Sequence, residues 1–428
     1  MSEKDQMQED FLHYLWRYGL YSGGQLVTAD QQRVSIISPG EMNRDAGPDF
    51  SMARIRIGET LWCGHVEIHV RSSDWYRHRH EQDQAYLTVV LHVVYEDDMP
   101  VKDIRGRVVP TVRLPVNNRY LQNYHRILST LDLIPCSSSL EKIEDIEKLR
   151  HFERMGVERM EQKSHQVKAR LLANKGGWEE TLYQLVIRYF AGKVNQEAFD
   201  QLGKSLPQKA IRSVAGNQFA MEALLFGMAG MLGSLKLKDA YVRALQSEFF
   251  FQTRKFNLSP PISIGLRHLR MRPSGFPEVR LAQLASFLHR HPNLLDMVIR
   301  TKGMLTPAVL DVSVSVYWER HLGFGKRIEK PIGKLGTETR HRLLVNVFLP
   351  FASVYLAEQG DNTALESWLN QLSRLPPDQN RVIRLWSTAG VKMDSALWSQ
   401  AALYLYTAYC HERRCLACGI GQCLIRSG

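Results

Sequence analysis

The sequence predicts an α/β domain at the N-terminus followed by a mostly α-helical domain. Three observations carry that prediction. Between residues 33 and 96, short runs of alternating polarity have the period of two that marks strands. One run, Val89 to Tyr95, is almost continuously apolar, as a strand covered on both faces must be. From about residue 140 to 409 the apolar residues recur at helical spacing instead, as in Leu182, Val186, Tyr189 and Phe190.

The elements follow in order. Residues 9–20, EDFLHYLWRYGL, set Phe11, Leu12, Leu15, Trp16 and Leu20 on one helical stripe, and Gly23-Gly24 is expected to end that helix. RVSIISPG (33–40) reads as a strand stopped by Pro39 and Gly40. The turn EMNRDAGP (41–48) leads to Asp49 and a strand through Ile57; Gly58 and Glu59 make a tight hairpin, and Leu61 to Val70 returns. Ser72 and Ser73 are N-cap candidates, with Asp74 in the first turn, for a polar helix reaching Ala85 and Tyr86. His92, inside the apolar run, is expected to be a hydrogen-bonded core histidine. VVPTVRLP (108–115), flanked by prolines, suits an edge strand.

The resulting order is helix, strand, strand, strand, helix, strand, with helices packed on a sheet. It places an α/β domain over residues 1–116, a linker or loop over 117–139 around PCSSS, a mostly helical domain over 140–409 and a Cys-rich segment over 410–428. No internal repeat marks the helical part as a solenoid.

Composition narrows the function classes. With 428 residues, 44% hydrophobic and 23% charged, the chain has the makeup of an ordinary globular protein. No apolar run approaches the roughly 20 residues of a membrane-spanning helix. The polar start MSEKDQMQEDF is no secretory signal, so the cytoplasm is the expected location and a membrane partner is not expected. A net charge of +11 and a pI near 9.3 favour a polyanionic partner, nucleic acid first.

The strongest chemical signal lies in residues 47–96. His65, Glu67 and His69 alternate along one strand, so their side chains share a face, while Val66, Ile68 and Val70 take the other. Asp49 opens the preceding strand. Two carboxylates at one end of adjacent strands suit Mg²⁺ or Mn²⁺, which acidifies water and neutralises a phosphodiester transition state. The following stretch offers His78, His80 and Asp83 with Arg71, Arg77 and Arg79, groups suited to phosphate contact. A second cationic stretch, RHLRMRPSGFPEVR (267–280), sets Arg267, Arg270, Arg272 and Arg280 around Phe276 as a candidate nucleic-acid loop.

Six cysteines occur, four of them in the last nineteen residues: Cys410, Cys415, Cys418 and Cys423 in CHERRCLACGIGQC. The spacing C-x4-C-x2-C-x4-C contains a thiolate pair suited to zinc, and its first three members have plant-type ferredoxin spacing. Zn²⁺ or an iron–sulfur cluster is therefore the expected occupant, with Arg413, Arg414 and Arg426 nearby to stabilise thiolates.

Pro48-Asp49, Glu67-Ile68-His69 and the order of elements resemble the PD-(D/E)XK nuclease superfamily. That resemblance implies a restriction-endonuclease-like core in which Asp49 and Glu67 hold a catalytic divalent metal. His69 stands where the family has lysine and would assist the attacking water. It implies an additional acid from the first helix, with Glu9 the candidate. Gln82 and Tyr86 are similar to the Gln-x-x-x-Tyr helix of its exonuclease-like branch. Some members carry a four-cysteine iron–sulfur cluster with one ligand from the opposite end of the domain, which would be Cys63 or Cys136 here. Over nearly its full length, from EDFLHYLW through GHVEIHVRSSDW and RMRPSGFPEVRLAQLA to YCHERRCLACGIG, the chain also resembles a bacterial family known only as a domain of unknown function.

The expected function is metal-dependent phosphodiester hydrolysis of nucleic acid. Two alternatives are a non-catalytic nucleic-acid-binding or scaffold protein, and a zinc-dependent hydrolase using His65, His69, His78 and His80.

Overall fold

The computed structural model describes residues 7–22, 25–43, 45–233, 239–261, 264–269, 271–305, 309–332 and 334–427. The chain forms two compact units: Met1–His151 together with Leu405–Gly428, and Phe152–Tyr404.

The first unit is built on a mixed sheet. Its strands are β1 (Leu26–Val27), β2 (Arg33–Ser38), β3 (Glu41–Met42), β4 (Phe50–Ile57), β5 (Thr60–Arg71), β6 (Val89–Glu96) and β7 (Thr111–Arg113). They lie in the order β1-β2-β4-β5-β6-β7, with β3 beside β4. The hairpin expected at Gly58-Glu59 joins β4 and β5 antiparallel, whereas β6 runs parallel to β5 and β7 parallel to β6. A parallel neighbour requires a crossover, and residues 72–88 supply it. Six of the eight residues of β6 are buried, as its apolar run predicts. Proline-flanked β7 is not a free edge: Ala29 N–H donates to the Thr111 carbonyl at 3.1 Å and Thr28 bridges Val112, so the two ends of the sheet meet.

Helix α1 (Glu9–Tyr18) packs on this sheet with Phe11, Leu12, Leu15 and Trp16 of the predicted stripe buried, whereas Leu20 lies past its end and is half-buried; the Trp16 indole donates to the Pro39 carbonyl at 3.0 Å. Gly19 ends it in the left-handed region at φ +61°; Gly23 and Gly24 lie outside the described residues. The crossover differs from the expected single helix. Only Asp74–Arg77 (α2) is α-helical; Arg79 at φ +62° breaks it, and short 3₁₀ turns follow at His80–Gln82 and Gln84–Thr88. Ser73 does not cap α2 with its side chain. Its hydroxyl and that of Ser72 instead donate to Asp98, at 2.7 and 2.8 Å. Gln82 and Tyr86 thus sit on different turns. The segment 117–139 contains a helix, α3 (Asn118–Ser129), capped by the Asn117 side chain.

The C-terminal helix Gly419–Arg426 belongs to the first unit. The Asn123 amide on α3 donates to the carbonyls of Ile425 (3.1 Å) and Ser427 (2.9 Å), and Arg426 donates to the Tyr14 hydroxyl on α1. The second unit is mostly helical, around a core that includes Phe190, Phe199, Phe226, Phe287, Trp318 and Phe348. Among the described residues no helix is long and apolar enough to cross a membrane.

Candidate metal centre

Two carboxylates meet because of one extra residue in β4. Pairs near the hairpin turn obey a single register, with Ala53 opposite Gly64 and Ile57 opposite Thr60. Continued without interruption, that register sets Asp49 opposite Ile68, on the face away from Glu67. A bulge between Phe50 and Ala53 shifts it, with Met52 at φ +57°, so Phe50 pairs with Val66 and Asp49 stands across from Glu67. The result is reciprocal: the Asp49 amide donates to Glu67 Oε2 at 3.1 Å, and the Ile68 amide donates to Asp49 Oδ2 at 2.8 Å. Gly64, at the other side of the shift, is needed for close approach. A Cβ there would meet Val90 Cγ1 at 2.5 Å and the Thr88 carbonyl at 2.6 Å.

Helix α1 supplies Glu9 and His13, one turn apart on the same face. His13 Nε2 lies 3.2 Å from Asp49 Oδ2 and 3.9 Å from Glu9. One potential ligand atom from each of Glu9, His13 and Asp49 falls within 4.8 Å of the others. Glu9, the acid expected from the first helix, is thus brought beside Asp49. The sequence reading missed His13, which resembles any other member of the buried stripe; its only signal is the i, i+4 spacing from Glu9.

A second group adjoins the first through Glu67. His80 Nε2 lies 3.1 Å and His69 Nε2 3.5 Å from Glu67 Oε1. His69, His78 and His80 bring one ring nitrogen each within 4.8 Å. His69 Nδ1 contacts His92 Nε2 at 2.9 Å and its Nε2 contacts His78 Nδ1 at 3.1 Å, so both of its nitrogens are engaged. His92 is fully buried and hydrogen-bonded, as expected. Tyr86 stacks on His80 with centroids 3.7 Å apart, and Trp75 packs edge-on against His80. His65, half-buried on the same strand, is in neither group.

The electrostatics describe a pocket of donors short of positive charge. Burial, then the nearby Asp49, pushes the Glu67 carboxyl up to about 9. Burial and Asp49 also raise Glu9. Burial opposes charge on His13, but Asp49 and Glu9 outweigh it and raise its basicity. Burial and the neighbouring imidazoles depress His69 to about 2, and burial with His80 depresses His92 to about 3. His69 is therefore neutral near pH 7. His13 Nε2 and His80 Nε2 are buried against carboxylate oxygens, 3.2 Å from Asp49 and 3.1 Å from Glu67, in an acidic surrounding that a cation would also satisfy.

The remaining predicted residues lie around this centre. Arg71 is exposed and 3.7 Å from Glu96; Arg77 is exposed and 3.1 Å from Asp74. Arg79, Gln82 and His78 are exposed, and Gln82 bonds Glu81 rather than the centre. In the second unit Arg267 and Arg272 are exposed, whereas Arg280 is half-buried and donates to Gln283; Arg270 lies outside the described residues.

A family model, Protein of unknown function (DUF2851), matches residues 9–381. The chain belongs to that family. No curated protein and no solved structure matches it. The matched span begins at Glu9 and contains both ligand groups; Cys410, Cys415, Cys418 and Cys423 lie beyond it.

Proposed function

We propose that the protein hydrolyses phosphodiester bonds of nucleic acid at this carboxylate–imidazole centre. The observation that carries the reading is the bulge-dependent meeting of Asp49 and Glu67, with Glu9 and His13 beside them. Asp49, Glu67 and His13 fit a divalent ion: the Glu67 carboxyl is buried without enough compensating charge, and His13 Nε2 faces Asp49 Oδ2 at 3.2 Å. Bound there, the ion supplies Lewis acidity and neutralises phosphate charge. A mixed oxygen and nitrogen donor set favours Mn²⁺ over Mg²⁺.

The side chains divide the remaining work. Glu9, with its carboxyl raised, takes the proton from the attacking water at its carboxylate oxygen, the role that neutral and doubly bonded His69 is poorly suited to fill. His69 holds Glu67 in place. Exposed His78, Arg77 and Arg79 are available to phosphate oxygens, in keeping with the net charge of +11. Such a centre accords with the PD-(D/E)XK resemblance in using an acid from the first helix and acids from two adjoining strands.

The test is cleavage of mixed DNA and RNA with Mn²⁺ by wild type and Asp49→Ala. Loss of at least about 100-fold in the variant is expected, the scale on which even supporting metal-site residues act. Undiminished cleavage by the variant sinks the assignment, and salt-sensitive binding without cleavage by wild type favours a non-catalytic nucleic-acid-binding role.

A second reading, hydrolysis at a zinc centre, is favoured by one observation: the convergence of His69, His78 and His80. It predicts that His78→Ala and His80→Ala abolish activity and remove zinc while Asp49→Ala does neither.

A further inference from the structure

We infer that Cys136, Cys410, Cys415 and Cys418 form a four-thiolate metal site in the first unit, with Cys136 in place of Cys423. The inference is independent of the hydrolytic reading, because none of these residues takes part in the centre described above.

All six cysteines are free, and these four are buried. They come from separate parts of the chain: Cys136 precedes the turn Ser137–Lys142, Cys410 closes the turn Tyr406–Cys410, and Cys415 and Cys418 flank a single 3₁₀ turn. Two sets of bonds hold these segments together. Arg413 Nη2 donates to the Asp132 carbonyl at 3.3 Å, and Asn123 holds Ile425 and Ser427. The four thiols are near enough to act on one another: Cys136 feels Cys415 and Cys418, and Cys410 feels the other three. Cys423 is only half-buried, feels only Cys418 among these thiols, and has Glu147 and Arg426 as its charged neighbours.

Buried cysteines are often inert packing, so features that serve a thiolate decide the matter. Cys418 stands at the N-cap position of the C-terminal helix without a side-chain cap hydrogen bond, with the Ile420 and Gly421 amides beside its sulfur. Amide donors at a helix N-terminus stabilise a thiolate, where a thiol gains little. His151 Nε2 lies 3.5 Å from the same sulfur, within reach of a ring N–H that donates to a thiolate. Two glycines let the chain wrap this closely. A Cβ at Gly421 would lie 2.2 Å from the Cys415 carbonyl, and one at Gly419 would lie 2.7 Å from His151 Nδ1.

Both a zinc ion and an iron–sulfur cluster use this ligand chemistry. Among the described residues the cysteines form no group whose ligand atoms all fall within 4.8 Å. Sulfurs around one zinc stand about 3.8 Å apart, given Zn–S of about 2.3 Å. Zinc at this site would therefore draw the segments inward.

The experiment uses the full chain purified without oxygen, with metal and sulfide analysis and a visible spectrum. Colourless protein with one zinc per chain at this site, or brown protein with iron and acid-labile sulfide, supports the proposal and tells the two occupants apart. Cys136→Ser and Cys418→Ser should each lose that metal, while Cys423→Ser and Asp49→Ala keep it. Native wild-type protein gives an answer even if a variant fails to fold: alkylation of Cys136 should be slow until a chelator is added, then rise at least 10-fold. Wild type with neither zinc nor iron, metal lost from Cys423→Ser but kept by Cys136→Ser, or alkylation unchanged by chelation would each overturn it.

Discussion

In the metal-free protein, burial and Asp49 keep Glu67 protonated up to about pH 9, whereas an unfolded glutamate ionises near 4.5. Between those values the folded chain holds a proton that the unfolded chain lacks, so stability falls as pH rises, by up to about 1.4 kcal/mol per pH unit. Denaturation of chelated protein at pH 7 and 8.5 should show this loss, which Mn²⁺ removes and Glu67→Gln lacks. Below pH 6.5 the sign reverses. Neutral His69 and His92, depressed to about 2 and 3, make the unfolded chain bind two protons against the one that folded Glu67 holds, and stability is lost as pH falls. A different residue tests the chemistry. Glu9→Gln should retain metal and lower turnover about 100-fold, the usual scale for a general base; unchanged turnover would remove Glu9 from the mechanism.

At the scale of elements the decisive object is the bulge at Met52. Met52→Val, whose β-branched side chain resists the left-handed φ that the bulge needs, should favour the plain register and send Asp49 to the apolar face, weakening Mn²⁺ binding while far-UV circular dichroism keeps its sheet signal. Gly64→Ala should cost about 1–3 kcal/mol in urea denaturation, because its Cβ would meet Val90 and the Thr88 carbonyl. These two positions also mark where sequence reading stopped. The hairpin, the buried β6 and the residues Asp49 and Glu67 were legible in turn chemistry and periodicity. The bulge was not, since it rests on one backbone conformation at a residue with no preference for it. The crossover read as one long helix because its composition allows helix throughout; a single left-handed residue, Arg79, broke it. His13 was hidden in an apolar stripe, and Cys136 could not be placed because only tertiary structure brings it to Cys410.

For the whole molecule, a net charge of +11 predicts nucleic-acid affinity that falls linearly in log–log terms with salt. Binding isotherms between about 50 and 200 mM salt should show it, and a flat response would exclude a charge-driven partner. Removing residues 405–428 should loosen the first unit, since Arg426 holds Tyr14 and Asn123 holds the last turn. Hydrogen exchange in α1 and α3 should quicken markedly while the buried helices of Phe152–Tyr404 keep their protection.

The first unit is interrupted in the chain by the second, and this imposes a timetable on synthesis. Its early portion leaves the ribosome well before its closing residues, with Phe152–Tyr404 taking roughly 10–50 s to translate in between at about 5–20 residues per second. Throughout that interval α1 and α3 lack their C-terminal partners and show apolar surface to chaperones. A chain that stalls anywhere in the second unit carries the catalytic candidates without the segment that packs against α1 and α3, and so leaves an exposed mark for proteolysis.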